Sequence, residues 1–162
     1  LGMSVVGARR VVETAPDGVQ RLFPASQLPQ MLPLCDFVAV AVPQTAETHG
    51  LVSEATLRLM KENAYLIDLS GRATVYDFHG LVRAVGQKWI AGVCLQPSGY
   101  APELGMPPLD AEFWRLPNVV VTPCRGTSLE QEQLCLSLFF DNLQSFEEGR
   151  PLSGMVDKAG GY

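Results

Sequence analysis

At 162 residues, 47% of them hydrophobic and 18% charged, the chain is sized for one compact domain with its own core. Its net charge of -5 comes without a Lys/Arg cluster, which argues against nucleic acid or an anionic lipid surface as partner, and no apolar run nears the roughly 18 residues that cross a bilayer. The four cysteines, Cys35, Cys94, Cys124 and Cys135, show no CxxC spacing, so neither a zinc site nor a disulfide framework is expected, and a cytoplasmic location is.

In chain order, the first apolar run spans residues 3–8, and the second spans 37–42. A helix is expected over 53–63, opened by Ser53 as cap and carrying Leu57, Leu59 and Met60. The run 64–69 follows, then a helix over 76–87 with Phe78, Leu81, Val82 and Val85 at helical spacing, then the run 90–95. Residues 96–117 hold five prolines and no sustained period, and read as a long irregular connection. After a last run at 119–122, a helix over 128–148 keeps Leu134, Leu138, Phe139, Leu143 and Phe146 on a 3.6-residue period and stops at Gly149. The small, polar, Gly-rich tail 150–162 has nothing to bury and is expected to be loose unless something docks it. Short apolar runs alternating with amphipathic stretches predict an α/β fold with five parallel strands, each buried on both faces.

Several segments carry more than periodicity. They are Leu1-Gly2-Met3-Ser4-Val5-Val6-Gly7, Cys35-Asp36-Phe37-Val38, Val42-Pro43-Gln44-Thr45-Ala46-Glu47-Thr48-His49-Gly50-Leu51, Met60-Lys61, Ala64-Tyr65-Leu66-Ile67-Asp68, Ile90-Ala91-Gly92, Phe113-Trp114, Pro117-Asn118-Val119, Thr122-Pro123 and Asp141-Asn142-Leu143. In this order they resemble the D-isomer-specific 2-hydroxyacid dehydrogenases over nearly the whole chain. The resemblance implies a Rossmann-like, doubly wound parallel sheet that is incomplete, because the family's first strand and GxGxxG turn precede the segment matched by Leu1-Gly2-Met3. It also implies a partial NAD(P)-binding domain over 1–149 and a tail over 150–162 that returns to the family's substrate domain. The strands flanking the first one are then expected to lack a ladder partner. Either a longer polypeptide or a partner segment would supply it, and dinucleotide affinity is expected to fall without the glycine turn.

By the same resemblance, Val42, Pro43, Thr48, Leu69, Ser70, Gly71, Gln96, Cys124 and Gly126 lie along the cofactor. Arg9 and Arg10 stand where NAD-using enzymes place an acid for the ribose 2′-hydroxyl. A guanidinium there suits a 2′-phosphate, so NADP is favoured over NAD, while two solvated arginines remain the plain alternative. The Val42-Pro43-Gln44-Thr45 turn reads equally well as a loop that needs only Pro43 for its φ and Thr45 or Thr48 for a cap.

The positions for chemistry are altered. The family's substrate-binding Arg precedes a Gly, whereas Leu69-Ser70-Gly71-Arg72-Ala73 exchanges the two and starts the guanidinium one residue late. The family's proton-shuttling His becomes Cys124 in Thr122-Pro123-Cys124, and a thiol with a pKa of about 8.5 is a poorer acid-base group at neutrality than imidazole. Its orienting Glu falls on Ala101, with Glu103 as a substitute, and the Asp near the nicotinamide amide becomes Gln96. His49 and His79 replace none of these and read as structural or surface residues. The expectation is an oxidoreductase of 2-hydroxy or 2-keto acids with weak or no turnover. The alternatives are a catalytically dead nucleotide-binding or interaction module, or an enzyme that uses Arg72, Glu103 and Cys124 in relocated roles. The family also implies a homodimer.

Overall fold

All five apolar runs form strands, and among the described residues a sixth strand joins them in two parallel sheets. The computed structural model describes residues 2–10, 14–97, 101–108, 110–122 and 129–156. The chain divides into two compact units, residues 1–123 and 124–162.

In chain order the first unit holds β1 (Val5–Arg9), β2 (Val19–Pro24), α1 (Leu28–Met31), β3 (Phe37–Val40), α2 (Glu54–Leu57), β4 (Tyr65–Asp68), α3 (Phe78–Gly86), β5 (Gly92–Leu95) and β6 (Val119–Val121). Strands β1 and β2 pair in one sheet, and β3-β4-β5-β6 form the other in sequence order. No ladder joins β1 to β3 among the described residues, as expected of the two strands that the family's first strand would flank. Strand β2 escapes a search for apolar runs because Gln20 and Arg21 are exposed and Phe23 alone is fully buried, with the Arg21 guanidinium 4.2 Å from its ring centroid.

Register places Val38, Leu66, Val93 and Val119 side by side across the larger sheet, all four buried. Behind them pack Phe78, Leu81, Ala84 and Val85 of α3, with Leu57, Met60 and Phe113, in one core. The expectation of strands buried on both faces is corrected here. Side chains alternate across a strand, and on the opposite face Phe37, Tyr65 and Val120 are exposed, the first two with rings stacked at 6.0 Å. A continuous apolar run marks a sheet interior but does not say what lies against its second face.

Both internal helices are shorter than their periodicity predicts. Ser53 caps α2 through a capping box with Thr56, but the chain then tightens into i to i−3 bonds from Leu59 to Thr56 and from Met60 to Leu57, which end the helix. Helix α3 begins only at Phe78 because Tyr76 is extended and bridges to Val52. Glu54 pairs with Arg58 and with Arg83, tying α2 to α3, and the Arg83 guanidinium, seconded by Arg58, holds its carboxyl below the usual range. The described part of the connection 96–117 has no strand or α-helix, only two 3-10 turns at Pro102–Leu104 and Glu112–Arg115, and it contributes Ala101, Met106 and Phe113 to the core.

The second unit holds the long helix α4 (Leu129–Glu147). It ends as the sequence predicts: Gly149 takes φ 68°, its N–H donates to Phe146 O, and Arg150 N–H donates to Ser145 O, the paired bonds of a Schellman motif. The described part of the tail, residues 150–156, holds a contact with α4. The Asn142 side chain accepts from Ser153 N–H at 2.8 Å and donates to Ser153 O at 3.0 Å.

Candidate functional site

Parallel strands deliver their successor loops to one edge of a sheet, and there an open α/β sheet binds its ligands. Arg9 ends β1, Val42 and Pro43 follow β3, Leu69 to Gly71 follow β4, and Gln96 follows β5. The predicted cofactor residues within the described range thus lie at or just past carboxyl ends, except Thr48, which sits farther along the turn after β3. Cys124 and Gly126 lie outside the described residues.

The loops at these ends are stitched together. Arg10 reaches Glu47 at 3.2 Å, which links the end of β1 to the turn after β3. Within that turn the Thr48 hydroxyl accepts from Thr45 N–H at 2.9 Å and donates to Pro43 O at 2.7 Å, so Thr48 does serve as the local cap. Farther on, Gly50 N–H donates to Thr74 O and Val52 N–H to Val75 O, which pins this turn to the loop after β4. An open depression of about 590 Å³ lies between the two, lined by Gln44, Thr45, Ala46, His49 and Thr74. Its lining includes none of the predicted site residues.

The loop after β4 is organised by a residue that the sequence reading did not single out. Asp68 is the last residue of β4 and is buried. Its Oδ1 accepts from Ser70 N–H at 2.9 Å, Ser70 Oγ–H at 2.7 Å and Gly71 N–H at 3.2 Å, while Oδ2 accepts from Gln96 N–H at 3.4 Å. Gly71 takes φ 60°, a left-handed conformation that suits a residue without Cβ. Ser70, Gly71 and Gln96 are thus gathered around one carboxylate. The clue in the sequence is an Asp inside the apolar run 64–69, two residues before Ser70-Gly71, the pattern of an Asx turn.

Arg72 is exposed and extended, with its N–H on Ser70 Oγ at 3.2 Å. Glu103 is exposed in a short 3-10 turn over Pro102–Leu104. His79 is exposed on the first turn of α3, against Gly105, and His49 is exposed in the turn after β3. Arg9 is exposed and makes no ion pair among the described residues.

Beside Asp68, the Tyr76 hydroxyl is buried without a hydrogen-bond partner among the described residues. Burial pushes its ionisation strongly upward, and the Asp68 carboxylate pushes the same way. A desolvated hydroxyl with no partner stabilises nothing. Tyr76→Phe is therefore expected to leave stability unchanged or raise it by up to about 1 kcal/mol, measured by denaturant unfolding. A loss beyond that would reveal a bond from this hydroxyl to Asp68.

The family's sequence profile, described as the D-isomer specific 2-hydroxyacid dehydrogenase, NAD binding domain, matches residues 1–126. The chain belongs to that family. It is 38% identical to a glyoxylate reductase of Pyrococcus horikoshii over 132 residues, 81% of this chain and 38% of that protein, and 35% identical to one of Thermococcus litoralis over 76% of this chain and 36% of that protein. The chain therefore spans under two-fifths of the length of these relatives. Among solved structures, a D-isomer specific 2-hydroxyacid dehydrogenase of Xanthobacter autotrophicus Py2 in complex with NADPH and MES matches with TM-score 0.86 and 28% identity, over 99% of this chain and 64% of that one. An NADPH-dependent glyoxylate/hydroxypyruvate reductase of Sinorhizobium meliloti, in complex with NADP and sulfate, matches at 0.84 and 25%, over 99% of this chain and 50% of that one. The chain carries the Rossmann-like fold of that family's NAD-binding domain, and no helix among the described residues is long and apolar enough to cross a membrane.

Proposed function

We propose that this chain is the nucleotide-binding part of an oxidoreductase that moves hydride between NADP and a small 2-hydroxy or 2-keto acid, with weak or no turnover of its own. The observation that carries the cofactor choice is Arg9, a guanidinium exposed at the carboxyl end of β1 with no ion pair among the described residues. That placement suits the 2′-phosphate of NADP, which accepts bidentate, charge-assisted bonds. Arg10 is partly engaged by Glu47 and contributes less. The turns at Val42, Pro43 and Thr48, at Leu69 to Gly71 and at Gln96 would flank the dinucleotide, and when bound its nicotinamide supplies or takes the hydride. The two solved relatives, one in complex with NADPH and the other with NADP, favour the same cofactor.

Weak turnover follows from the chemistry positions. Arg72 leaves the strand one residue late and points from an exposed, extended backbone, and a displacement of about 1 Å can cost on the order of a hundredfold in rate. Cys124 in place of the family's His is a poor proton shuttle at neutral pH. The same changes favour the second reading, a nucleotide-binding module without catalysis. A cytoplasmic homodimer is the assembly proposed for either case.

Isothermal titration of the chain with NADPH and with NADH tests the proposal. NADPH is expected to bind at least about tenfold more tightly, the worth of one charge-assisted bond, and Arg9→Ala should erase that margin. Equal affinity for the two, or none for either, would refute it. Turnover of glyoxylate with NADPH separates the weak enzyme from the dead module.

A further inference from the structure

On the face of β4 that looks into the core, Leu66 is followed two residues later by Asp68. A carboxylate at a buried strand position is costly to desolvate, and none of the ion pairs among the described residues involves it. What offsets the cost is a set of neutral donors from two different chain segments: the Ser70-Gly71 turn on Oδ1 and the Gln96 amide on Oδ2. Apart from Gly92, the other buried residues of the larger sheet's strands are aliphatic: Val38, Val40, Leu66, Val93, Leu95 and Val119. The sheet's register places Asp68 opposite Val40, one step beyond the layer of Val38, Leu66, Val93 and Val119, at the edge where the loops leave.

We infer that Asp68 is the positioning residue of the nucleotide site: one buried carboxylate sets the ends of β4 and β5 relative to each other, and with them the backbone that meets the nicotinamide end of the dinucleotide. The inference rests on the proposed NADP reading and adds a division of labour to it. Arg9, on β1 in the smaller sheet, belongs to the adenosine end and is not held by Asp68. Ser70, Gly71 and Gln96 are held by it. Each of Asp68's bonds is charge-assisted, so replacing the carboxylate releases two loops at once rather than one contact.

Asn is the instructive replacement. Its single carbonyl oxygen would stay with the three donors of Ser70 and Gly71, which turns its NH2 group toward the Gln96 N–H, donor against donor. Asp68→Asn should therefore keep the Ser70-Gly71 turn and free Gln96, whereas Asp68→Ala should free both. Amide hydrogen exchange measured by NMR on the whole chain reads this directly. In Asp68→Ala, exchange at Ser70, Gly71 and Gln96 should rise at least about tenfold while Val93, inside the ladder, stays unchanged; in Asp68→Asn only Gln96 should rise.

The recognition half is tested with two probes, NADPH and adenosine 2′,5′-bisphosphate, which carries the 2′-phosphate but no nicotinamide. Both variants should bind NADPH at least about tenfold more weakly, one charge-assisted bond converted to affinity, and bind the bisphosphate as the wild type does. Equal weakening of both probes, or unchanged exchange at Gln96 in both variants, overturns the inference by making Asp68 a general stability residue or no clamp at all. If the wild type binds neither probe, the nucleotide reading itself has failed and the recognition role goes with it, while the exchange pattern still decides whether Asp68 joins the two strand ends.

Discussion

Leu81→Ala is expected to lower the unfolding free energy of the first unit by about 3 kcal/mol, within the range found for Leu-to-Ala changes in rigid cores. Leu81 has no exposed surface and sits in the middle of α3, in the cluster that backs the buried face of β3 to β6. Alanine is the better helix former, so the loss would come from lost packing and the residual cavity. Trp89 and Trp114 both lie in the first unit, so guanidinium unfolding followed by tryptophan fluorescence reports on it. The midpoint should fall while the denaturant slope stays the same. A change below about 1 kcal/mol would mean that the site collapses around the truncation and that α3 is not rigidly packed.

Helix α3 also shows why part of the fold was legible before any coordinates. Phe78, Leu81, Val82 and Val85 recur at helical spacing because the helix buries one stripe, and the stripe is what the pattern records. The same holds for the five strands that carry nearly continuous apolar runs. Three things were not legible, each for a physical reason. Strand β2 has its polar residues exposed and one anchor, Phe23, so its composition is that of a loop. The ends of α2 and α3 depend on tertiary bonds, such as the bridge from Val52 to Tyr76, that no local preference encodes. The exposed face with Phe37 and Tyr65 depends on what covers a sheet rather than on the strand itself.

At the candidate site, the residues at the carboxyl ends could be named from strand order and family likeness alone, because topology puts every successor loop on one edge. What joins them could not. Asp68 looks like the end of a strand in the sequence, and only the folded chain shows that Ser70, Gly71 and Gln96 converge on it from positions up to 28 residues away. Hydrogen bonds between loops are set by how β4 and β5 lie together, which is a consequence of the whole sheet.

Gly92→Ala is expected to be as damaging as the core truncation, by overpacking instead of a cavity. A Cβ at Gly92 would stand 2.6 Å from Asn118 O and 2.9 Å from Cε1 of the Tyr65 ring. The ring can give way, since Tyr65 lies on the exposed face. The carbonyl cannot, because Asn118 O accepts the Val93 N–H at 2.9 Å where β5 meets β6. Relief therefore requires β5 to move away from β6 or from β4, at a cost of about 3 kcal/mol, the upper part of the range for inserting a methyl into a packed site. The consequence reaches the site, since a shift of β5 carries Gln96 N–H beyond the 3.4 Å that already separates it from Asp68 Oδ2. Gly92→Ala should thus lose NADPH affinity as well as stability, and a fluorescence-monitored unfolding curve paired with an NADPH titration measures the two together. Adding Tyr65→Ala should recover less than half of the lost stability, because it removes the yielding ring and leaves the fixed carbonyl in place. Full recovery in the double variant would show that the ring, and not the backbone of Asn118, is what keeps this position a glycine.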